Sequence, residues 1–223
     1  MPEDHAHAPG HPLAPLIDQH ESPRPKTVRA RHAASLIVYR MHGTEPEMLM
    51  GMRGAKHRFM PNRLVFPGGA VDRVDLTAPC ASPLSPRTER ALRKQANAHL
   101  AHGIGIAAAR ELAEETGLSL GHPPVLAGLD YLARAVTPAG NPIRFNARFL
   151  TMRAELVSGA LTGGDGELDN LRYYGLQEAL ALDLALPTRR VLERLQVWLA
   201  MSEAERAAET HTPLLRDRGW RME

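Results

Sequence analysis

A Pro-Gly-Gly triplet at residues 67–69, directly after a short apolar run, is the feature that most restricts how this chain can fold. The run Arg63 to Phe66 is typical of a β-strand, and glycine reaches backbone angles that other residues avoid, so we expect a tight loop after the strand. Two further β-rich runs precede it, at residues 33–40 and 47–52. The pattern therefore predicts a group of core strands that leads into a glycine loop.

The remainder of the chain predicts a single α/β domain with helices at its end. Further strands are expected at residues 125–135, 143–153 and 171–175, and helices at 177–182, 188–201 and 203–209, the last with a capping box of Ser202 and Glu205. Because 223 residues suffice for one sizeable core, we predict one domain over 28–210. The Pro- and His-rich segment 1–27 is expected to be a flexible tail, and 211–223 a C-terminal tail.

An inserted element is predicted between the glycine loop and the next helix. Residues 75–86 contain three prolines and read as a loop, and Arg87 to Leu100 reads as one polar helix. A second helix is expected from about Ile104, and Gly117 is placed to end it in the left-handed conformation.

Charge and composition exclude several classes of function. Lys and Arg number 27 against 25 Asp and Glu, and a net charge of +2 does not predict duplex nucleic acid as a partner. A small polyanionic substrate stays compatible with this balance. The lone Cys80 excludes an internal disulfide, and no apolar run is long enough for a membrane span, so we expect a cytoplasmic protein that does not enter membranes.

Three glutamates form an acidic stripe on the predicted second helix. Glu111, Glu114 and Glu115 stand at i, i+3 and i+4, within about 100° of one another around the helix axis. Their mutual repulsion would be relieved by a divalent cation, and hard oxygen ligands suit Mg²⁺ or Mn²⁺. The alternative is an ordinary solvated helix face. The side expected to face the sheet consists of Ala109, Leu112, Ala113 and Thr116.

The segment Arg110 to Leu118 (RELAEETGL) resembles the second half of the Nudix box at every specified position, and Phe66 to Asp72 (FPGGAVD) is similar to its entrance. Two departures stand out. Asp75 occupies a position where the family pattern has Glu. Between Asp75 and Arg110 lie 34 residues where the pattern has seven, so 27 extra residues (34 minus 7), at about 76–103, split the box.

The resemblance implies an α/β/α sandwich with a mixed sheet, here with an inserted helix and C-terminal helices. It implies metal-dependent hydrolysis of the pyrophosphate bond in a nucleoside diphosphate linked to another moiety, with Mg²⁺ or Mn²⁺ as cofactor. The metal ligands that it implies are Glu111, Glu114, Glu115 and Asp75. Arg110 would orient these carboxylates, and either Glu111 or Glu167, which follows a glycine-rich loop, would be the catalytic base.

The substrate is indicated only by the residues ahead of the glycine loop. Leu49, Arg53, Arg58 and the run Phe66, Pro67, Gly68 and Gly69 keep the spacing of a signature found in coenzyme A diphosphatases of the family. The match is partial, because Gly51, Gly54 and Asn62 depart from that signature. This ranks coenzyme A and its thioesters first, and the two arginines would bind the 3′-phosphate or another anionic group. A solvated basic turn is the alternative for these arginines.

A non-catalytic Nudix domain, acting as a nucleotide sensor or interaction module, is the competing class of function. The inserted helix and residues 188–209 could provide homodimer contacts, substrate lids or ordinary packing, and the sequence leaves these choices open.

Overall fold

The structure is a computed structural model that describes residues 28–54, 61–163, 166–216 and 219–223. The predicted tail at residues 1–27 and Arg58 lie outside the described residues.

A mixed sheet of nine strands organises the described part of the chain. Its strands are β1 (Arg31–His42), β2 (Glu45–Arg53), β3 (Leu64–Val65), β4 (Gly68–Ala70), β6 (Asp130–Val136), β7 (Phe145–Arg153), β9 (Leu168–Gly175), β10 (Pro213–Arg216) and β11 (Gly219–Met222). The strand order is β11-β10-β6-β7-β1-β2-β3, with β4 also paired to β1 and β9 to β2. The pairs β1·β7 and β6·β10 are parallel and the others antiparallel. A separate two-stranded ribbon joins β5 (Leu118–Ser119) to β8 (Ser158–Gly159).

Helices cover both faces of this sheet. They are α1 (Pro86–Arg93), α2 (Ala98–Thr116), α3 (Leu176–Ala181), α4 (Leu186–Ala200) and α5 (Glu203–Ala208). Alternate side chains of β1 enter two separate cores, because successive residues of a strand point to opposite faces. Leu36 and Val38 pack with α2 on one face, and Ile37 and Tyr39 pack with α4 on the other. The predicted α/β/α sandwich is thus confirmed.

The predicted helix at 87–100 is in fact two helices. α1 ends at Arg93, and α2 begins at Ala98, six residues before the expected start. The reason is Asn97, whose side-chain oxygen accepts a hydrogen bond from the Leu100 N–H at 2.8 Å and so caps a new helix. The end of α2 is as predicted, since Gly117 takes the left-handed conformation with φ 77°.

The predicted C-terminal tail at 211–223 contains β10 and β11, which extend the sheet beyond β6. An ion pair between Arg134 and Glu223, with distances of 2.8 and 2.9 Å from Nη1 to the two carboxylate oxygens, ties this end of the chain to β6. The strand expected at 125–135 begins only at Asp130, whereas the capping box of Ser202 and Glu205 is confirmed.

Within the described residues, the structure has no helix with the length and apolar character that crossing a membrane requires.

Candidate active site

The glycine loop forms β4, which pairs antiparallel with β1. The Leu36 N–H donates to the Pro67 carbonyl at 2.8 Å, which fixes the loop against the sheet. Gly68 has φ 151°, and a Cβ at this position would collide with the Ala34 carbonyl oxygen. Only glycine therefore fits there without strain.

Glu115 reaches this loop from α2. It is 2% exposed, and its Oε2 accepts a hydrogen bond from the Gly68 N–H at 2.8 Å. Burial raises the pKa of Glu115 to about 8, with the Gly68 hydrogen bond opposing the shift and the charges of Glu111 and Glu167 adding to it. A buried carboxyl that titrates near neutrality is common at functional sites.

Glu111 lies one helical turn earlier and contacts Gly69. A Cβ on Gly69 would occupy the space of the Glu111 carboxylate, so a residue without a side chain is needed there. Burial raises the pKa of Glu111, with the Arg110 charge opposing and the charges of Glu114 and Glu167 adding to the shift. The two glutamates thus approach the loop from the same face of α2.

Arg110 connects the helix to the split half of the motif. Its Nε and Nη2 each donate to one oxygen of Asp75 at 3.0 Å, and its Nη1 donates to Glu111 at 2.8 Å and to Glu114 at 2.9 Å. Nη2 also donates to the Ala70 carbonyl at 3.0 Å. These hydrogen bonds, those to Asp75 foremost, raise the pKa of Arg110, so the guanidinium stays charged. Arg110 therefore holds the carboxylates in place, as charge-assisted pairs do.

Asp75 and Glu114 are placed differently from Glu111 and Glu115. Asp75 is 1% exposed, and both its oxygens bind Arg110 while Oδ2 also accepts from the Asp72 N–H at 2.8 Å. Glu114 lies at the surface beside Arg110. Their predicted part as metal ligands stays a prediction, and the contacts of Asp75 favour a role in positioning Arg110. The expectation that Ala113 packs on the sheet was wrong, because this residue is exposed.

Arg53 and Glu167 meet on the other side of the glycine loop. The Arg53 Nη2 lies 3.5 Å from the Glu167 Oε2, and both side chains line the same cleft as Glu111. Within the described residues the buried Nε of Arg53 has no hydrogen-bond partner. Glu167, just before β9, thus lies near the acidic side of α2, although it stands more than fifty residues later in the sequence.

The cleft has a volume of about 590 Å³ and runs from the glycine loop across the sheet. Sequence reasoning did not find its far walls, which come from the β6–β7 turn, the start of α4 and β10. The residues that it missed include Ala33, Ala135, Ala147, Thr188 and Leu215. No local pattern marks them, because they belong to separate elements that only the folded sheet brings together.

Part of this chain is similar to known proteins. The family profile described as NUDIX domain matches residues 103–195, which include the acidic stretch of α2. Nudix hydrolase 7 of Caenorhabditis elegans is 38% identical over 88 residues, which are 40% of this chain and 22% of that protein. Residues 103–195 of the chain are thus similar to the Nudix family.

Solved structures of other proteins share the fold of this chain. A NUDIX hydrolase from Alicyclobacillus acidocaldarius superposes with a TM-score of 0.57 at 24% identity, covering 74% of this chain and 90% of its own. The MutT protein from Methanosarcina mazei Go1 gives 0.52 at 15% identity, covering 77% and 96%. At these identities the likeness establishes the α/β/α architecture. Because the match spans about a fifth of the curated relative, activity and substrate are proposals for this chain.

Proposed function

We propose that this protein is a metal-dependent pyrophosphohydrolase of the Nudix type, which cuts the diphosphate link of a nucleoside diphosphate joined to another moiety. The observation that carries the proposal is the approach of Glu111 and Glu115 from one helix to the Gly68–Gly69 loop at one end of the cleft. Sequence resemblance alone would leave open whether the split box reassembles. Here Arg110 joins its two halves through Asp75.

The carboxylates fit a divalent cation by their chemistry. Burial raises the pKa of both Glu111 and Glu115, and repulsion from neighbouring carboxylates adds to each shift: Glu114 and Glu167 act on Glu111, and Glu111 and Glu167 act on Glu115. A cation among these oxygen donors would offset that repulsion. Within the described residues no three His, Cys, Asp or Glu side chains converge as a ready-made metal site. We therefore propose that Mg²⁺ or Mn²⁺ is held by Glu111 and Glu115, with Glu114 and Asp75 less directly involved and the remaining positions filled by water and phosphate oxygens.

When bound, the cation would neutralise charge on the diphosphate oxygens and lower the pKa of the attacking water. The residues of the chain then have separate tasks. Glu111 accepts the proton from water, and Gly69 leaves room for the Glu111 carboxylate. Glu167 is the alternative base. Arg53 lies at the same end and contributes positive charge to the diphosphate. Water attacks one phosphorus, the bond to the bridging oxygen breaks, and a phosphate ester leaves.

Coenzyme A or an acyl-coenzyme A is the first substrate that we propose. Support comes from Arg53, which lines the cleft beside the glycine loop, and from the sequence signature that it shares with Arg58. Nucleotide sugars, dinucleotides and damaged nucleotides follow. A cytoplasmic location and a homodimer formed through the insertion or the C-terminal helices also remain proposals.

The test is turnover of a substrate panel with Mg²⁺ and with Mn²⁺, covering coenzyme A, acyl-coenzyme A, ADP-ribose, dinucleotides and oxidised nucleoside triphosphates. We expect Glu111→Gln and Glu115→Gln to lose on the order of a hundredfold or more in kcat, because each replacement removes a proposed metal ligand or the general base. Glu203→Gln, on the exposed α5, is the matched control and should keep the wild-type rate. Wild-type turnover by a stably folded Glu114→Gln, Glu115→Gln double variant would contradict the proposal.

A non-catalytic nucleotide-binding domain is the second candidate. It is favoured by the hydrogen bonds that Arg110 Nη1 donates to Glu111 and to Glu114, because these carboxylates already have a cationic partner in the protein. Binding of nucleotides without hydrolysis of any panel member would establish this alternative.

A further inference from the structure

We propose that a groove at the start of β1 is a second ligand site of this chain, which binds a phosphate group carried by the substrate or by a separate small molecule. The groove has a volume of about 320 Å³. Its charged or titratable lining residues are Arg29, Arg31, His32, Asp72 and Arg73. Three features support the site: arginines without an ionic partner, a buried guanidinium behind the groove, and an imidazole that this guanidinium orients.

The groove lies beside the cleft that contains the proposed active site. The Val71 N–H donates to the His32 carbonyl at 2.9 Å, so residues 71–73, which follow β4, run alongside residues 30–32. Neighbouring strands lie about 4.8 Å apart, so long side chains from both segments can reach one small ligand. Arg31 lines both the groove and the cleft. The groove therefore adjoins the place proposed for the diphosphate.

The side chains that line the groove are mostly cationic. Three arginines stand against one aspartate, Asp72, whose Oδ2 lies 3.9 Å from the Arg110 Nη2. Within the described residues, the side chains of Arg29, Arg31 and Arg73 form no ion pair and no hydrogen bond. Their guanidinium groups thus keep their donors available, and the planar arrangement of these donors matches the oxygens of a phosphate.

A buried cation lies behind the groove. Arg148 is 1% exposed, and its Nη1 donates to the His32 Nδ1 at 2.8 Å. Its other acceptors are the carbonyl oxygens of Asn146 at 3.0 Å and Gln95 at 3.2 Å. All three acceptors are neutral, and Glu223, whose charge attracts Arg148, forms its ion pair with Arg134. Because a buried charge without an ionic partner costs free energy, an anion in the groove would be stabilised by Arg148.

His32 connects this buried cation to the groove. A guanidinium can only donate, so the His32 Nδ1 is the acceptor and the neutral ring carries its proton on Nε2. Burial lowers the pKa of His32, and the charges of Arg148 and Arg29 lower it further, which keeps the ring neutral. The Nε2–H has no acceptor among the described residues, and His32 lines the groove. A phosphate oxygen there would accept this hydrogen bond.

Calorimetric titration of the full chain with inorganic phosphate, in EDTA and at constant ionic strength, tests the site. The double variant Arg29→Gln, Arg73→Gln should bind phosphate about tenfold or more weakly, because two charge-assisted hydrogen bonds are lost. The matched control is Arg90→Gln, Arg93→Gln, which removes the same charge from the exposed surface of α1 and should keep the wild-type affinity. Equal affinity in the wild type and both double variants would overturn the proposal.

Binding of phosphate in the cleft is separated from binding in the groove by a further variant. Arg53→Gln removes the cationic side chain that lines the cleft beside the glycine loop and leaves the groove intact. We expect this variant to keep the phosphate affinity that the groove provides. If Arg53→Gln lost the affinity while Arg29→Gln, Arg73→Gln retained it, the phosphate would lie in the cleft and the groove would not be the site.

The nitrogen NMR spectrum of the histidine rings provides a second, direct measurement. The His32 signal, assigned by its loss in His32→Gln, should show a protonated Nε2 and an unprotonated Nδ1. Addition of inorganic phosphate should shift the Nε2–H signal in the wild type and not in Arg29→Gln, Arg73→Gln. An Nε2–H signal that stays in place at saturating phosphate would contradict the site.

Competition experiments identify the source of the phosphate group. Coenzyme A carries a phosphate monoester that dephospho-coenzyme A lacks. Displacement of inorganic phosphate by coenzyme A alone would assign the groove to the phosphate of the substrate, and displacement by neither would assign it to a separate small molecule. Displacement by both would place the phosphate at the diphosphate position and reject the groove. These titrations need no turnover, so absence of hydrolase activity would leave their outcome unchanged.

Discussion

Gly68 and Gly69 are neighbours, but their Cα atoms face different groups of the protein. We therefore expect replacement of Gly69 to lower kcat and replacement of Gly68 to lower stability. In Gly69→Ala the new Cβ displaces the Glu111 carboxylate, the flexible end of a side chain, so we expect a fall in kcat on the order of a hundredfold with little change in stability. In Gly68→Ala the new Cβ meets the Ala34 carbonyl at φ 151°, so we expect a loss of about 1–3 kcal/mol in the free energy of unfolding.

Steady-state rates and urea denaturation of the two variants measure this difference, and each variant is the control of the other. Retention of wild-type kcat by Gly69→Ala would show that catalysis does not depend on the position of the Glu111 carboxylate.

At the scale of elements, α1 attaches the insertion to the sheet. Thr88 is 1% exposed, and its hydroxyl donates to the Leu129 carbonyl, just before β6, at 2.7 Å. Thr88→Val leaves that carbonyl without its donor, so we expect the free energy of unfolding to fall by about 1–3 kcal/mol. Because no residue of α1 lines the cleft, kcat and KM should stay near wild type.

Thr88→Ser keeps the hydroxyl and is the control for chemical denaturation of Thr88→Val. A raised KM in Thr88→Val at unchanged stability would instead assign the insertion a part in substrate binding.

At the scale of the whole molecule, the buried glutamates make stability depend on pH. The pKa of Glu115 is about 8 in the folded protein against an ordinary value of 4.5, so unfolding releases a proton between these limits. The contribution of Glu115 is therefore fully present below about pH 4.5, falls as the pH rises, and is lost above about pH 8. The raised pKa of Glu111 acts in the same direction.

Denaturation midpoints in EDTA from pH 5 to pH 9 measure this dependence, and Glu115→Gln, which keeps an acceptor for Gly68, should show a smaller decline. Mg²⁺ or Mn²⁺ should stabilise the wild type more at pH 9 than at pH 6, because a cation binds the ionised carboxylates. A decline of equal size in wild type and Glu115→Gln would assign the pH dependence to other groups.

The sequence by itself determined the features whose signals are local. The glycine loop, the end of α2 at Gly117 and the capping box of Ser202 each depend on residues within a few positions of one another. The acidic residues of α2 were predictable for the same reason, since helical spacing alone aligns Glu111 with Glu115. The α/β/α architecture was implied by the resemblance of these segments to the Nudix box, and the predicted order of strands and helices was compatible with it.

Only the tertiary structure decided which residues face the cleft and which are paired. Asp75 is bound by Arg110 across the insertion, and Ala135 meets Leu215 in parallel strands eighty positions apart. Neither contact leaves a local pattern, because sheet pairing and burial depend on the whole assembled core. For the same physical reason the strands at the C-terminal end escaped prediction: four-residue strands gain their stability from the neighbour with which they pair, and that neighbour is distant in sequence.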